Sequence, residues 1–132
     1  MNDKELHIYT CLNQLKKKSV CLDKQVACII TTKDYGILSW GINIVMQCDR
    51  NCLDKKNRLC VTQHAEVMAI KGLLSNRRSY YAFLSLFPCT DCQNQLAFFV
   101  KEIVVFGKQH KEQVFDNIRL EEEPYKPNLH SH

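Results

Sequence analysis

The sequence predicts an α/β protein, a mixed sheet with helices on both faces. Three observations carry that expectation. A helical pattern opens the chain. Two β-prone runs joined by a turn follow it. Beyond a polar stretch, helices and strands then alternate, and alternation after a hairpin calls for a sheet covered on both sides.

The elements come in order. Leu6, Tyr9, Leu12 and Leu15 recur at threes, which suits one apolar face of a helix over about residues 3–17. "QVACIITT" and "GILSWGINIV" are β-prone, and "KDYG" between them suits a hairpin turn. Residues 46–62 are polar, cysteine-rich and aperiodic, a loop that needs something to hold it. Residues 65–74 suit a largely buried helix ending at "SNRR". "YYAFLSLF" reads as a buried strand halted by Pro88, "CTDCQNQLAFFV" as a second buried helix, and "EIVVFG" as a strand closed by Gly107. "QHKEQVFDN" suits a short helix. Residues from about 119 to 132 read as a surface tail, with His130 and His132 frayed rather than functional.

With 132 residues, no repeat and no Gly/Ser linker, one domain is expected over residues 1–132. No apolar run is long enough to span a membrane, and the N-terminal stretch lacks the apolar core of a secretion signal. A cytoplasmic location is therefore expected, the host cytoplasm if the source is viral. In a reducing compartment eight cysteines point to metal ligands and buried thiols rather than to disulfides. Cys11 and Cys28 fall on a helix and a strand, where core packing accounts for them. The net charge of +4 is compatible with a phosphate-bearing substrate, although most such surplus is solvated surface. Lys16, Lys17 and Lys18 suit the exposed end of the first helix, where cations meet the negative end of the dipole.

The chemistry lies in "HAEVMAI" and "PCTDC". His64 opens one helix, while Cys89 and Cys92 open the next, three apart and so on one face. The gap from His64 to Cys89 accommodates a helix and a returning strand, which sets the two helix starts side by side at one sheet edge. A closed structural zinc site takes four protein ligands, whereas three leave a position for water, as catalytic zinc requires. Bound zinc brings the pKa of such a water toward neutrality. Glu66, two residues past the histidine and not needed as a ligand, can carry protons as general base and then acid. The pattern H-x-E followed by P-C-x-x-C is the signature of zinc deaminases acting on cytosine or adenine. A purely structural Cys/His module, with Glu66 on the surface, leaves the pairing of the two motifs unexplained.

With both motifs in place, the chain resembles the cytidine/deoxycytidylate deaminase superfamily from about Ser19 to Gly107. It is most similar to the deoxycytidylate (dCMP) deaminases of bacteria and their viruses. That resemblance implies a three-layer α/β/α cytidine-deaminase-like fold with a mixed central sheet of about five strands. It also implies deamination of dCMP to dUMP and ammonia, a homo-oligomer, and dCTP or dTTP as effectors. A second, structural zinc held by Cys21, Cys48, Cys52 and Cys60 is implied too, the alternative being that some are unligated buried thiols. Asn43 matches the family asparagine that bonds the nucleotide's sugar or phosphate, and equally suits a turn. Ser85 matches the small hydroxyl residue beside the base. Backbone groups at Ala65 and Leu86 are expected to contribute to the base-reading edge. Lys24 and Arg58 are candidates to meet a 5′-phosphate, with plain surface charge as the default.

Two departures bear on substrate. The family's "GYNG" is "GINI" here, so a pocket aromatic is missing. Met68 stands where the family often has asparagine, and "HAEVMAI" with "VVFGK" resembles the tRNA adenosine deaminases, which lack the cysteine-rich insertion. A nucleic-acid deaminase acting on tRNA adenosine or cytidine is thus the second reading. It calls for basic clusters interleaved with aromatics, and the basic clusters here lack them except for Tyr80 and Tyr81 after the arginines. A third reading is an inactive zinc-stabilised interaction module.

Overall fold

A computed structural model describes residues 1–19, 25–47, 61–73 and 78–124. Helix α1 spans Asp3–Lys16 and is started by Asn2, whose Oδ1 accepts a hydrogen bond from the Glu5 amide at 2.8 Å. That cap satisfies one of the amides a helix start leaves unpaired. Strands β1 (Ala27–Thr31) and β2 (Ile37–Ile42) form the expected hairpin. Its turn closes through Tyr35 N to Thr32 O at 3.0 Å and Gly36 N to Thr32 Oγ1 at 3.0 Å. Strands β3 (Ile44–Gln47) and β4 (Val61–Gln63) pair in a separate small ladder. Helix α2 (Ala65–Lys71), β5 (Tyr81–Leu84), α3 (Thr90–Ala97) and β6 (Glu102–Phe106) then alternate as expected.

The main sheet has the order β2-β1-β5-β6-β7, with β7 at Ile118–Glu121. β1 runs antiparallel to both neighbours, whereas β5, β6 and β7 are mutually parallel. All five β1 residues are buried, because successive side chains enter opposite packed faces. Cys28 and Ile30 join Ala82, Leu84, Ile103 and Val105 on the face covered by α2 and α3. Ala27 and Ile29 join Phe83, Val104 and Phe106 beneath Ile8, Tyr9 and Leu12 of α1. The result is the three-layer α/β/α arrangement with a five-stranded mixed sheet. Among the described residues no helix is long and apolar enough to cross a membrane.

Two expectations need correction. Residues 109–117 form no helix. The side-chain amides of Gln109 and Gln113 donate to the Lys111 and Phe115 carbonyls, two residues on, and such local bonds compete with helical ones. The tail also begins later than residue 119, since Ile118–Glu121 adds an edge strand to β6. Ile118 supplies one apolar contact, and Arg119 is held by Glu5, Glu102 and Glu121. Ile118 and Leu120 alternate with Arg119 and Glu121, but the run is only these four residues long and Leu120 is exposed, so it is too short a signal to set a strand apart from the tail.

Candidate active site

Two helix starts meet on one side of the sheet. His64 is the N-cap of α2 and Cys89 the N-cap of α3, both with extended backbone and neither with a side-chain cap bond. Their side chains are thus turned away from their own helices. Cys92 lies one turn into α3 and is buried. His64 Nδ1 stands 3.3 Å from Cys92 Sγ and 3.8 Å from Cys89 Sγ. All three ligand atoms lie within 4.8 Å of one another. Zinc bonds of roughly 2.0 Å to nitrogen and 2.3 Å to sulfur place tetrahedral ligands about 3.5 Å apart, so this group fits a zinc ion.

Electrostatics agree with that fit. Burial, and after it the charge of Glu66, raise the Cys92 thiol well above its ordinary value. Burial likewise raises the Glu66 carboxyl, opposed by its backbone hydrogen bond, by His64 and by a bond with Cys92. A buried thiol beside a buried carboxyl calls for a cation, which reverses the balance and holds the sulfur as thiolate. Glu66 is 5% exposed and sits within the first turn of α2, too deep for a mere surface residue. The Cys28 thiol, fully buried on β1, is raised by burial and then by the charge of Glu66.

The surrounding residues show how the sheet holds these groups. At Gly41 on β2 a Cβ would stand 2.6 Å from the Ala69 amide and closer still to the Ala65 carbonyl oxygen. Ser39 Oγ donates to the Ala69 carbonyl at 2.6 Å. β2 therefore grips α2 by direct backbone approach, which fixes where His64 and Glu66 point. The sequence placed Gly41 only in the family stretch "GINI" and gave Ser39 no role, although a glycine within a strand pattern signals such an approach. Gln93 was missed as well. It is fully buried and shares the inner face of α3 with Cys92 and Leu96.

Two of the expected substrate contacts, Asn43 and Ser85, hold the backbone at the start of β1. Asn43 Oδ1 accepts from the Val26 amide at 3.0 Å, and the Asn43 amide donates to Val26 O at 3.2 Å. Ser85 Oγ accepts from the Ala27 amide at 3.0 Å, and the Ser85 amide donates to Ala27 O at 3.2 Å. Both side chains tie the start of β1 to its neighbours. Ala65 is fully buried, and Leu86 packs against the core beside it. Cys21, Cys48, Cys52, Cys60, Lys24 and Arg58 lie outside the described residues.

Residues 1–108 match the family described as the cytidine and deoxycytidylate deaminase zinc-binding region. The chain belongs to that family. Its fold is similar to dCMP deaminase from the cyanophage S-TIM5, solved in apo form and in complex with dCMP and dUMP. The complex gives a TM-score of 0.68 at 18% identity, covering 93% of this chain and 99% of that one. A RibD from Acinetobacter baumannii matches with a TM-score of 0.57 at 22% identity, over 78% of this chain. This chain spans only 28% of that RibD. A cytidine deaminase from Mycobacterium tuberculosis matches at 0.52 and 15% identity, over 75% of this chain and 81% of that one. Identities this low establish the shared fold. No curated protein matches the chain in sequence.

Proposed function

We propose that the chain hydrolytically deaminates a cytosine deoxynucleotide, dCMP to dUMP and ammonia. The observation that carries the deamination is the buried Glu66 carboxyl beside His64, Cys89 and Cys92, a three-ligand group with a proton carrier next to it. Zinc, when bound, makes water nucleophilic near neutral pH. Glu66 accepts a proton from water as its oxygen adds at C4 of the pyrimidine and delivers it to N3. It then takes the proton of the new C4 hydroxyl and hands it to the amine, so that the C4–N bond breaks to release ammonia as the C4 carbonyl forms. Cys89, at the helix start, and the buried Cys92 would hold the metal, with His64 as the nitrogen ligand.

The choice of dCMP is supported by the fold likeness to the cyanophage dCMP deaminase, with a TM-score of 0.68 against 0.57 for the RibD. The nucleic-acid reading finds less support. Tyr80 does lie between Lys33 and Lys101, whose Nζ atoms are 5.7 and 5.9 Å from its ring centroid. That basic-aromatic patch precedes β5, however, while the Cys89 turn follows it, so the two occupy opposite ends of the strand. The proposal retains the second zinc at Cys21, Cys48, Cys52 and Cys60, a homo-oligomer and dCTP or dTTP effectors, all carried by the family resemblance.

The test is a paired assay on purified protein. Zinc per chain is quantified while uracil formation is followed from dCMP, dCTP, cytidine and a tRNA anticodon stem-loop. Turnover of dCMP with about two zincs per chain supports the whole reading. Base change only in the RNA, or zinc with no turnover of anything, overturns it in favour of the second or third alternative.

A further inference from the structure

Cys92 lies within α3 and is buried, whereas Cys89 precedes the helix proper, is half-buried and makes no side-chain cap bond. Its place is therefore set by the peptide that leads into it. That peptide is planar, so fixing the Pro88 carbonyl oxygen fixes the plane from which Cys89 departs.

Gln93 fixes that oxygen. From a fully buried position its Nε2 donates to Pro88 O at 3.0 Å and to Glu112 O at 2.8 Å, and its Oε1 accepts from the Val114 amide at 2.8 Å. A side-chain amide has two N–H donors, and both are in use here. The group cannot turn without leaving a buried partner unpaired, which is costly. The backbone amide of Gln93 also donates to Cys89 O at 3.0 Å, as any residue at that helical position does. One residue thus bonds the peptides on both sides of Cys89, and the bond on the Pro88 side is the glutamine's own. Behind it, residues 112–114 have no regular secondary structure, yet their backbone holds the far side of the Gln93 amide. The His110 ring, just upstream, meets Phe87, with 6.4 Å between centroids and near-perpendicular planes.

We propose that Gln93 is a positioning residue for the metal group: backed by residues 112–114, it holds the Pro88–Cys89 peptide so that the Cys89 sulfur is in place before zinc binds. A ligand held beforehand loses little freedom on binding, which lowers the dissociation constant. The inference rests on the zinc group of the deaminase reading and adds a residue to it. Gln93 acts through the backbone of Cys89, on neither metal nor substrate directly.

The experiment titrates cobalt into metal-stripped, reduced full-length protein and then displaces it with zinc. Thiolate-to-cobalt charge-transfer absorption reports bound sulfur, and the part of it that Cys92→Ser removes belongs to this group. Gln93→Met, close in volume but without the amide, should weaken that part of the absorption. It should also raise the zinc dissociation constant by about 10–100-fold, the usual scale for losing a partner behind a metal ligand. Arg119→Met, a destabilising change where Arg119 bonds Glu5 of α1, should leave both readouts at wild-type values. Val114→Pro removes the N–H that Gln93 Oε1 accepts, at a residue 48% exposed. It should shift both readouts in the same direction by less, and it carries the test if Gln93→Met does not fold. Wild-type absorption and affinity in the Gln93→Met or, failing that, the Val114→Pro protein overturn the positioning role, whatever happens to the melting temperature. Equal losses in Gln93→Met and Arg119→Met overturn it too, since metal loss then only follows stability. Both results leave the zinc group standing. A wild-type spectrum with no part that Cys92→Ser removes contradicts the zinc group itself, and with it the deaminase reading.

Discussion

His64 Nδ1 lies 3.3 Å from Cys92 Sγ, although 28 positions separate the two residues. Between them run a helix and a strand whose lengths bring one helix start back beside the other. Replacing Cys92 by serine removes a sulfur from the group and leaves a polar atom among buried neighbours. Zinc content should fall well below that of wild type and the melting temperature should drop, read by metal analysis and calorimetry on the same sample.

Gly41 allows β2 to touch α2 directly. Gly41→Ala forces a methyl group into the Ala65 and Ala69 backbone, where nothing flexible can yield. A cost of about 1–3 kcal/mol is expected, as for other overpacked sites. Because α2 carries both His64 and Glu66, activity should fall further than stability alone accounts for. Denaturant titration together with kcat at saturating substrate separates the two effects.

Much of this arrangement was legible beforehand, for definite reasons. The apolar spacing of α1, the β-prone run of β1 and the punctuation at Pro88 and Gly107 each leave a local signal, and each element formed where its signal lay, although on α1 it is Ile8 with Tyr9 and Leu12 that is buried while Leu6 is exposed. The metal group was legible because ligand chemistry restricts residue types and because helix geometry fixes the Cys89–Cys92 spacing. Gln93 and Ser39 were not, since a polar residue in a buried position reads as surface until its backbone partners are known. Arg119 hid β7 for the same reason: its partners lie on three separate elements, one of them more than a hundred residues away.

Arg119 joins those elements through Glu5 at 2.6 Å, Glu102 at 2.6 Å and Glu121. Glu5 is only 4% exposed. Arg119→Met should destabilise the protein by about 1–3 kcal/mol, less than for a fully buried pair because Arg119 itself is a third exposed. Arg119→Met combined with Glu5→Gln should recover part of that loss, since the buried carboxylate is then gone. Chemical denaturation of the single and double variants reads the coupling.

Burial raises Glu66 above its ordinary value in the metal-free protein. A carboxyl whose folded pKa exceeds its unfolded one binds more protons in the folded state, so stability declines as pH rises from the unfolded value of about 4.3 through the folded one. Metal-stripped wild type should therefore lose stability over that interval. Metal-stripped Glu66→Gln should lose less, leaving it the more stable of the two at pH 7. Thermal melts across pH in the presence of a chelator read the difference.

The central claim is that Glu66 carries protons for a reaction at the His64, Cys89 and Cys92 group. The measurement that meets it most directly is turnover of dCMP by zinc-loaded Glu66→Gln, with zinc content determined on the same protein. Retained zinc and fold with turnover reduced by about 10²–10⁴-fold is the predicted result. Turnover comparable to wild type in zinc-replete Glu66→Gln would contradict the account.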